Sequence, residues 1–118
     1  MDLLFTCTHA GDDAERATLP FIAANAALAV GQTAAVVCTV EGVRIGVAGG
    51  AGIAHEGMPA LAELYDRFVE TGGEVWLCSA CTTTRGITEE RLAPGARIVG
   101  AAYIVEQITL GARSVSLS

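Results

Sequence analysis

Basic residues are few in this chain: seven Lys and Arg stand against thirteen Asp and Glu in 118 residues, for a formal charge of −6. They occur singly, so no stripe exists that could follow a phosphate backbone, and direct nucleic-acid binding is not expected. Long apolar runs are also missing. The longest weakly polar stretch, Leu19 to Gly31, is broken by Pro20 and Asn25 and is too short to span a bilayer, so no membrane segment is expected. The opening Met1-Asp2-Leu3-Leu4-Phe5 lacks a charged n-region and a cleavage site; it is expected to be a strand rather than an export signal, and the protein to be cytoplasmic. There is no Gly-x-x-x-x-Gly-Lys, and Gly50-Ala51-Gly52 continues to His55 where a dinucleotide fingerprint needs glycine or alanine. Nucleotide binding is therefore discarded, and no cofactor is expected. A structural zinc site needs four ligands, usually as two paired clusters, whereas beyond Cys78 and Cys81 only the scattered Cys7, Cys38, His9 and His55 remain; no metal is expected. In a reducing compartment four cysteines read as reactive or buried thiols rather than as a disulfide framework.

Apolar residues, by contrast, make up 52% of the chain and charged ones only 17%. The length suits one domain, residues 1–118, with a core of its own. So apolar a composition exceeds what a monomer of this size needs to bury, which predicts a subunit interface. Much of the excess is alanine and glycine, which also permits close backbone packing.

Strand-length apolar runs alternate with helix-length segments. Leu3 to Cys7 is a first strand; Asp12-Asp13 supplies a cap and an acidic first turn for a helix reaching Val30, with Pro20 expected to kink or split it and Gly31 to end it. Thr33 to Thr39, without alternation, reads as a strand buried on both faces. Glu41 to Gly57 carries glycines at 42, 46, 49, 50, 52 and 57 and reads as a long loop, serving as a mobile lid or a subunit contact. Gly57-Met58-Pro59 opens a second helix on which Leu61, Leu64, Tyr65, Phe68 and Val69 recur, and Gly72-Gly73 stops it. Val75 to Cys78, Ile98-Val99 and Ser114 to Leu117 complete the strands, with short helices at Thr88 to Leu92 and Ala101 to Leu110. The pattern predicts an α/β fold of three layers: a mostly parallel five-stranded sheet, right-handed crossovers, and helices on both faces.

The chemistry gathers at Cys78-Ser-Ala-Cys81, where an apolar strand gives way to a helical turn. A thiol there meets unpaired backbone N–H groups and the positive end of a peptide dipole, both of which favour thiolate. The spacing alone serves disulfide exchange, sulfur transfer or half a metal site, and equally two small buried residues. In a parallel sheet all strand carboxyl ends share one edge, so Cys7, Cys38 and Cys78 are expected to face one cleft, with His9 beside them as a proton acceptor or as an ordinary loop histidine. Arg85, seven residues after Cys78, is a candidate cation for a thiolate or bound anion.

Leu77-Cys78, the run Cys78-Ser-Ala-Cys81-Thr-Thr-Thr-Arg85-Gly86-Ile87 and the closing Gly100-Ala-Ala-Tyr-Ile-Val-Glu-Gln-Ile-Thr-Leu-Gly111 resemble the DsrE/DsrF-like family of sulfur relay proteins. The resemblance extends over nearly the whole chain and is most specific from Cys78 to Gly86. It implies a small flavodoxin-like subunit assembled as a homotrimer or homohexamer, with sulfane sulfur carried as a persulfide on Cys78 between a protein donor and a protein acceptor. Cys81 is absent from several sulfur-relay subunits of that family and present in relatives described as peroxiredoxin-like. Two further classes thus stay open beside a sulfurtransferase-type carrier: a thiol redox protein using Cys78 and Cys81, and a non-catalytic assembly subunit.

Overall fold

Ala34-Ala-Val-Val-Cys38 is buried along its whole length (β2), as expected of a strand with helices on both sides. In the computed structural model, which describes residues 1–117, β2 lies at the centre of a five-stranded sheet ordered β4-β3-β2-β1-β5. The other strands are β1 (Leu3–Cys7), β3 (Glu74–Cys78), β4 (Ala96–Val99) and β5 (Arg113–Val115), and every pairing is parallel. The helices are α1 (Ala14–Ala29), α2 (Leu61–Glu70), α3 (Ser79–Thr84) and α4 (Ala101–Thr109).

The chain steps in one direction from β1 to β4 and then returns to place β5 beside β1. Right-handed crossovers make the helices of the outward steps share one face and put α4, on the return step, on the other. The side chains agree. Phe21 and Ala24 of α1 and Leu61, Tyr65 and Phe68 of α2 pack with Phe5, Val36, Val75 and Leu77, while Leu4, Val37, Trp76 and Val99 meet Tyr103 and Ile104 of α4. The first face is a full core, knitted by an edge-on Phe21–Phe68 contact at 6.1 Å and by the Asn25 amide donating to the Leu64 carbonyl at 3.0 Å. The second is thinly covered, since no residue of α4 is buried and Val105, Ile108 and Leu110 of this end of the chain are exposed.

Local structure departs from expectation at four places. Pro20 does not split α1, which runs unbroken from Asp13, whose carboxylate caps it by accepting the Arg16 N–H at 3.0 Å. Proline forfeits only one intrahelical bond, to the Arg16 carbonyl, while Ala17, Phe21 and Ala24 are held completely buried around it. The second helix starts at Leu61, with Gly57-Met58-Pro59 in the turn before it. The last strand is shifted to Arg113–Val115, because the Arg113 N–H pairs with the Asp2 carbonyl at 2.9 Å.

The fourth departure bears on the site. The first half of the glycine-rich segment is not a lid: Val40–Gly46 is a 3-10 helix with Gly42, Val43, Ile45 and Gly46 buried. Gly42 lies so close over the end of β1 that an added Cβ would overlap the Cys7 carbonyl oxygen and stand 2.8 Å from its carbon. Gly46 lies similarly against the Leu77 side chain. These two glycines are required by close approach of backbone to sheet rather than by turn geometry.

Candidate functional site

Cys78 ends β3 and is the N-cap residue of α3. Its register partner is Val99, which is followed at once by Gly100, the N-cap of α4. Two helices therefore begin beside Cys78, whose side chain makes no capping hydrogen bond, and first-turn N–H groups without intrahelical partners are available to an anion there. The Cys78 residue is 9% exposed.

The expected sharing of a cleft by Cys7, Cys38 and Cys78 is not met. Cys7 pairs with Cys38 and Cys38 with Leu77, and all three belong to the core under α1 and α2. Cys78 lies one residue further along β3, so the pleat turns it to the opposite face, with Trp76 and Val99. Cys7 and Cys38 are 1% and 0% exposed, and Cys7 donates to the His9 carbonyl at 3.4 Å. Its hydrogen bond with Cys7, together with burial, pushes the Cys38 thiol well up, which keeps it neutral. These two are core thiols.

Cys81 is the third residue of α3 and half-buried. Cys78 at the N-cap and Cys81 at the third helical position thus belong to the same first turn. The Cys81 Sγ accepts the backbone N–H of Val40 at 3.1 Å. Val40 has φ of 52°, the one non-glycine residue with positive φ among the described residues. A β-branched residue in the left-handed region costs about 1–3 kcal/mol and persists only where its surroundings impose it. All four cysteines are free thiols.

Arg85 is not beside Cys78. It is the C-cap of α3, the end away from that thiol, because seven residues of mostly helical chain separate them. Its Nε donates to Glu41 Oε1 at 2.9 Å, and its Nη1 donates to the Cys81 carbonyl at 3.2 Å and to Thr84 Oγ1 at 3.3 Å. The second oxygen of Glu41 accepts the Arg44 Nε at 2.8 Å. Hydrogen bonds from Arg85 and then Arg44 hold the Glu41 carboxyl below the usual range, so it is charged at neutral pH.

The His9 ring pairs with Asp12. Its Nδ1 meets Asp12 Oδ2 at 2.8 Å, and the other Asp12 oxygen accepts the Ala10 N–H at 2.7 Å. Sequence reading missed Val40 and Glu41. Glu41 and Arg85 lie 44 residues apart, and no spacing announces that contact.

A cavity of about 290 Å³ beside α2, lined by Ile45, Val47, Ala51, Tyr65, Asp66 and Pro94 among others, includes no cysteine. Among the described residues no three His, Cys, Asp or Glu side chains gather as a metal site requires. Among the described residues no helix is long and apolar enough to cross a membrane.

Two solved structures share this architecture. The ychN protein from E. coli superposes with a TM-score of 0.79 at 18% identity, covering 99% of each chain. MTH1491 from Methanobacterium thermoautotrophicum, a protein of unknown function, gives 0.78 at 18% identity over 98% of each chain. Likeness at that identity is a likeness of fold. No curated protein matches the sequence. The model of the DsrE/DsrF-like family matches residues 1–117, and the chain belongs to that family.

Proposed function

We propose that this protein is a sulfur carrier that holds sulfane sulfur as a persulfide on Cys78, taking it from a donor protein and giving it to an acceptor protein. The observation that carries this reading is the station of Cys78, a strand-end thiol at the N-cap of α3 whose register neighbour leads directly into the start of α4. In loading, the Cys78 thiolate attacks the outer sulfur of a donor persulfide; the new S–S bond forms as the donor's own S–S bond breaks, and the donor cysteine leaves as thiolate. In unloading, an acceptor cysteine attacks the terminal sulfur and Cys78 leaves as thiolate. Unpaired first-turn N–H groups of α3 and α4, which start beside Cys78, would favour the anionic sulfur at either stage.

The function supposes assembly. With Val105 61%, Ile108 45% and Leu110 73% exposed on the thinly covered face, a second copy packed over α4 would bury apolar surface beside the Cys78 side of the sheet. A cytoplasmic homo-oligomer is accordingly the form in which we place the carrier.

The test is to incubate reduced protein with a persulfide donor and record intact mass. Wild type and Cys81→Ser should gain one sulfur atom and Cys78→Ser should gain none. Loading retained in Cys78→Ser would defeat the assignment. A loss of two protons that needs both Cys78 and Cys81, with no sulfur gained even by Cys81→Ser and no hydrosulfide released, would place the protein among thiol redox proteins instead.

A further inference from the structure

Four residues from two distant parts of the chain close a ring around Cys81. The Val40 N–H donates to Cys81 Sγ at 3.1 Å; the Cys81 carbonyl accepts Arg85 Nη1 at 3.2 Å; Arg85 Nε donates to Glu41 at 2.9 Å; and Glu41 is bonded covalently to Val40. The ring spans α3 and the start of the 3-10 segment, so it fixes where the Val40 N–H lies relative to the sulfur. Val40 itself stands in the left-handed region, at φ of 52°, where its surroundings must hold it. Arg85 and Glu41 are 20% and 35% exposed, partly withdrawn from water, and the pair holds its geometry through bonds at both ends of the guanidinium.

We propose that Glu41 is a positioning residue for Cys81: by holding Arg85, it keeps the Val40 N–H on the Cys81 sulfur and equips that thiol to discharge sulfur carried on Cys78. The inference rests on the carrier reading above and gives its site a second outlet. Cys81 as thiolate attacks the inner sulfur of Cys78-S-SH. A Cys78–Cys81 bond forms, the Cys78 S–S bond breaks, and the outer sulfur leaves as hydrosulfide with the pair of electrons. Sulfane sulfur is reduced to sulfide, the two cysteines are oxidised to one disulfide, and no outside oxidant is consumed. An N–H donor stabilises the attacking thiolate and is lost to it once the disulfide forms. Cys81 thus decides between delivering sulfur to a partner and releasing it as hydrosulfide.

The experiment loads reduced wild type, Glu41→Gln, Arg85→Gln, the double variant and Cys81→Ser with a low-molecular-weight persulfide. Excess donor is removed, and intact mass and hydrosulfide are followed with time. All should load equally at Cys78. Wild type should then release hydrosulfide as its mass falls to that of the disulfide, and Cys81→Ser should keep its persulfide. Glu41→Gln should release about tenfold more slowly, the scale of one charge-assisted hydrogen-bonded link, with Arg85→Gln the same and the double variant no slower. Equal release in Glu41→Gln and wild type, or a wild-type persulfide as lasting as that of Cys81→Ser, would overturn the inference while leaving the carrier reading intact. Failure of every form to load would sink the carrier reading instead. The positioning role then stands or falls on the Cys78–Cys81 couple: its disulfide should be about tenfold more stable in Glu41→Gln, a potential about 30 mV lower, and an unchanged potential would refute it.

Discussion

Replacing Gly42 with alanine tests whether the 3-10 segment is seated on the sheet or hinged above it. The new methyl would overlap the Cys7 carbonyl oxygen, which already accepts the Thr39 N–H at 3.0 Å. Neither partner is the flexible end of a side chain, so relief requires moving the end of β1 or the whole Val40–Gly46 turn. Overpacking of this kind costs about 1–3 kcal/mol, and a backbone obstacle belongs at the upper end. For a chain of 118 residues, about 3 kcal/mol lowers the melting temperature by roughly 10 °C. Gly11→Ala is the matched control: nothing lies within 4 Å of its added Cβ, so its effect should stay within about 0.5 kcal/mol. Gly46→Ala should fall between them, since its obstacle is the Leu77 side chain. Thermal unfolding by far-UV circular dichroism, at one protomer concentration because assembly would shift the midpoint, is the assay. If Gly42→Ala and Gly11→Ala melt together, the segment does not rest on β1. The Val40 N–H is then not fixed against Cys81 either.

Acid should destabilise the protein in a window to which three aspartates contribute. Backbone N–H groups of Thr33, Ala10 and Arg16 hold Asp2, Asp12 and Asp13 respectively below 3.8, so their contribution is complete above that value and is lost as pH falls beneath it. The melting temperature should be level from about pH 7 to 5 and drop below about pH 4. Asp13→Asn, which keeps a capping oxygen but not the charge, should make that drop shallower, and an unchanged profile would exclude Asp13 from it. Arg97 lies over the rings of Trp76 at 5.3 Å and Tyr103 at 4.9 Å; Arg97→Ala should cost about 1 kcal/mol and alter the emission of the single tryptophan, and an unaltered spectrum would argue against the stack. Val105→Glu with Ile108→Glu should reduce the light-scattering mass to that of the 12.1 kDa chain, whereas a wild-type mass already at that value would remove the interface from α4.

The layers of the fold were legible because each depends on a short-range pattern. Non-alternating Ala34-Ala-Val-Val-Cys38 could only be a strand covered on both faces, and the spacing of Leu61, Leu64, Tyr65 and Phe68 was that of a helix with one buried stripe. The glycine-rich segment misled because the same residue marks both a free loop and a backbone pressed on its neighbour. At Gly42 and Gly46 it is the second, and nothing local distinguishes them. Pro20 misled in the other direction: the burial of its helical neighbours, set by the sheet beneath, outweighed one missing hydrogen bond.

The thiols show where pattern reading stops and register begins. That strand ends share an edge follows from parallel topology alone. Which face each side chain takes depends on parity along the strand and on pairing between strands. Cys7, Cys38 and Leu77 occupy one row across the sheet, and Cys78 with Val99 occupies the next. A slip of one residue between β2 and β3 would have put Cys38 and Cys78 side by side, which is why counting residues to a strand end could not separate the two thiols under α1 and α2 from the one on the other face. The same row explains why two helix starts converge on Cys78. The chain reverses its direction across the sheet after β4, so α4 leaves on the face opposite α1 and α2, which is the face to which the pleat has turned Cys78. Cys81, one turn into α3, faces the Val40–Gly46 segment instead. Donor access and internal discharge of the sulfur can therefore proceed from different sides of the same first turn.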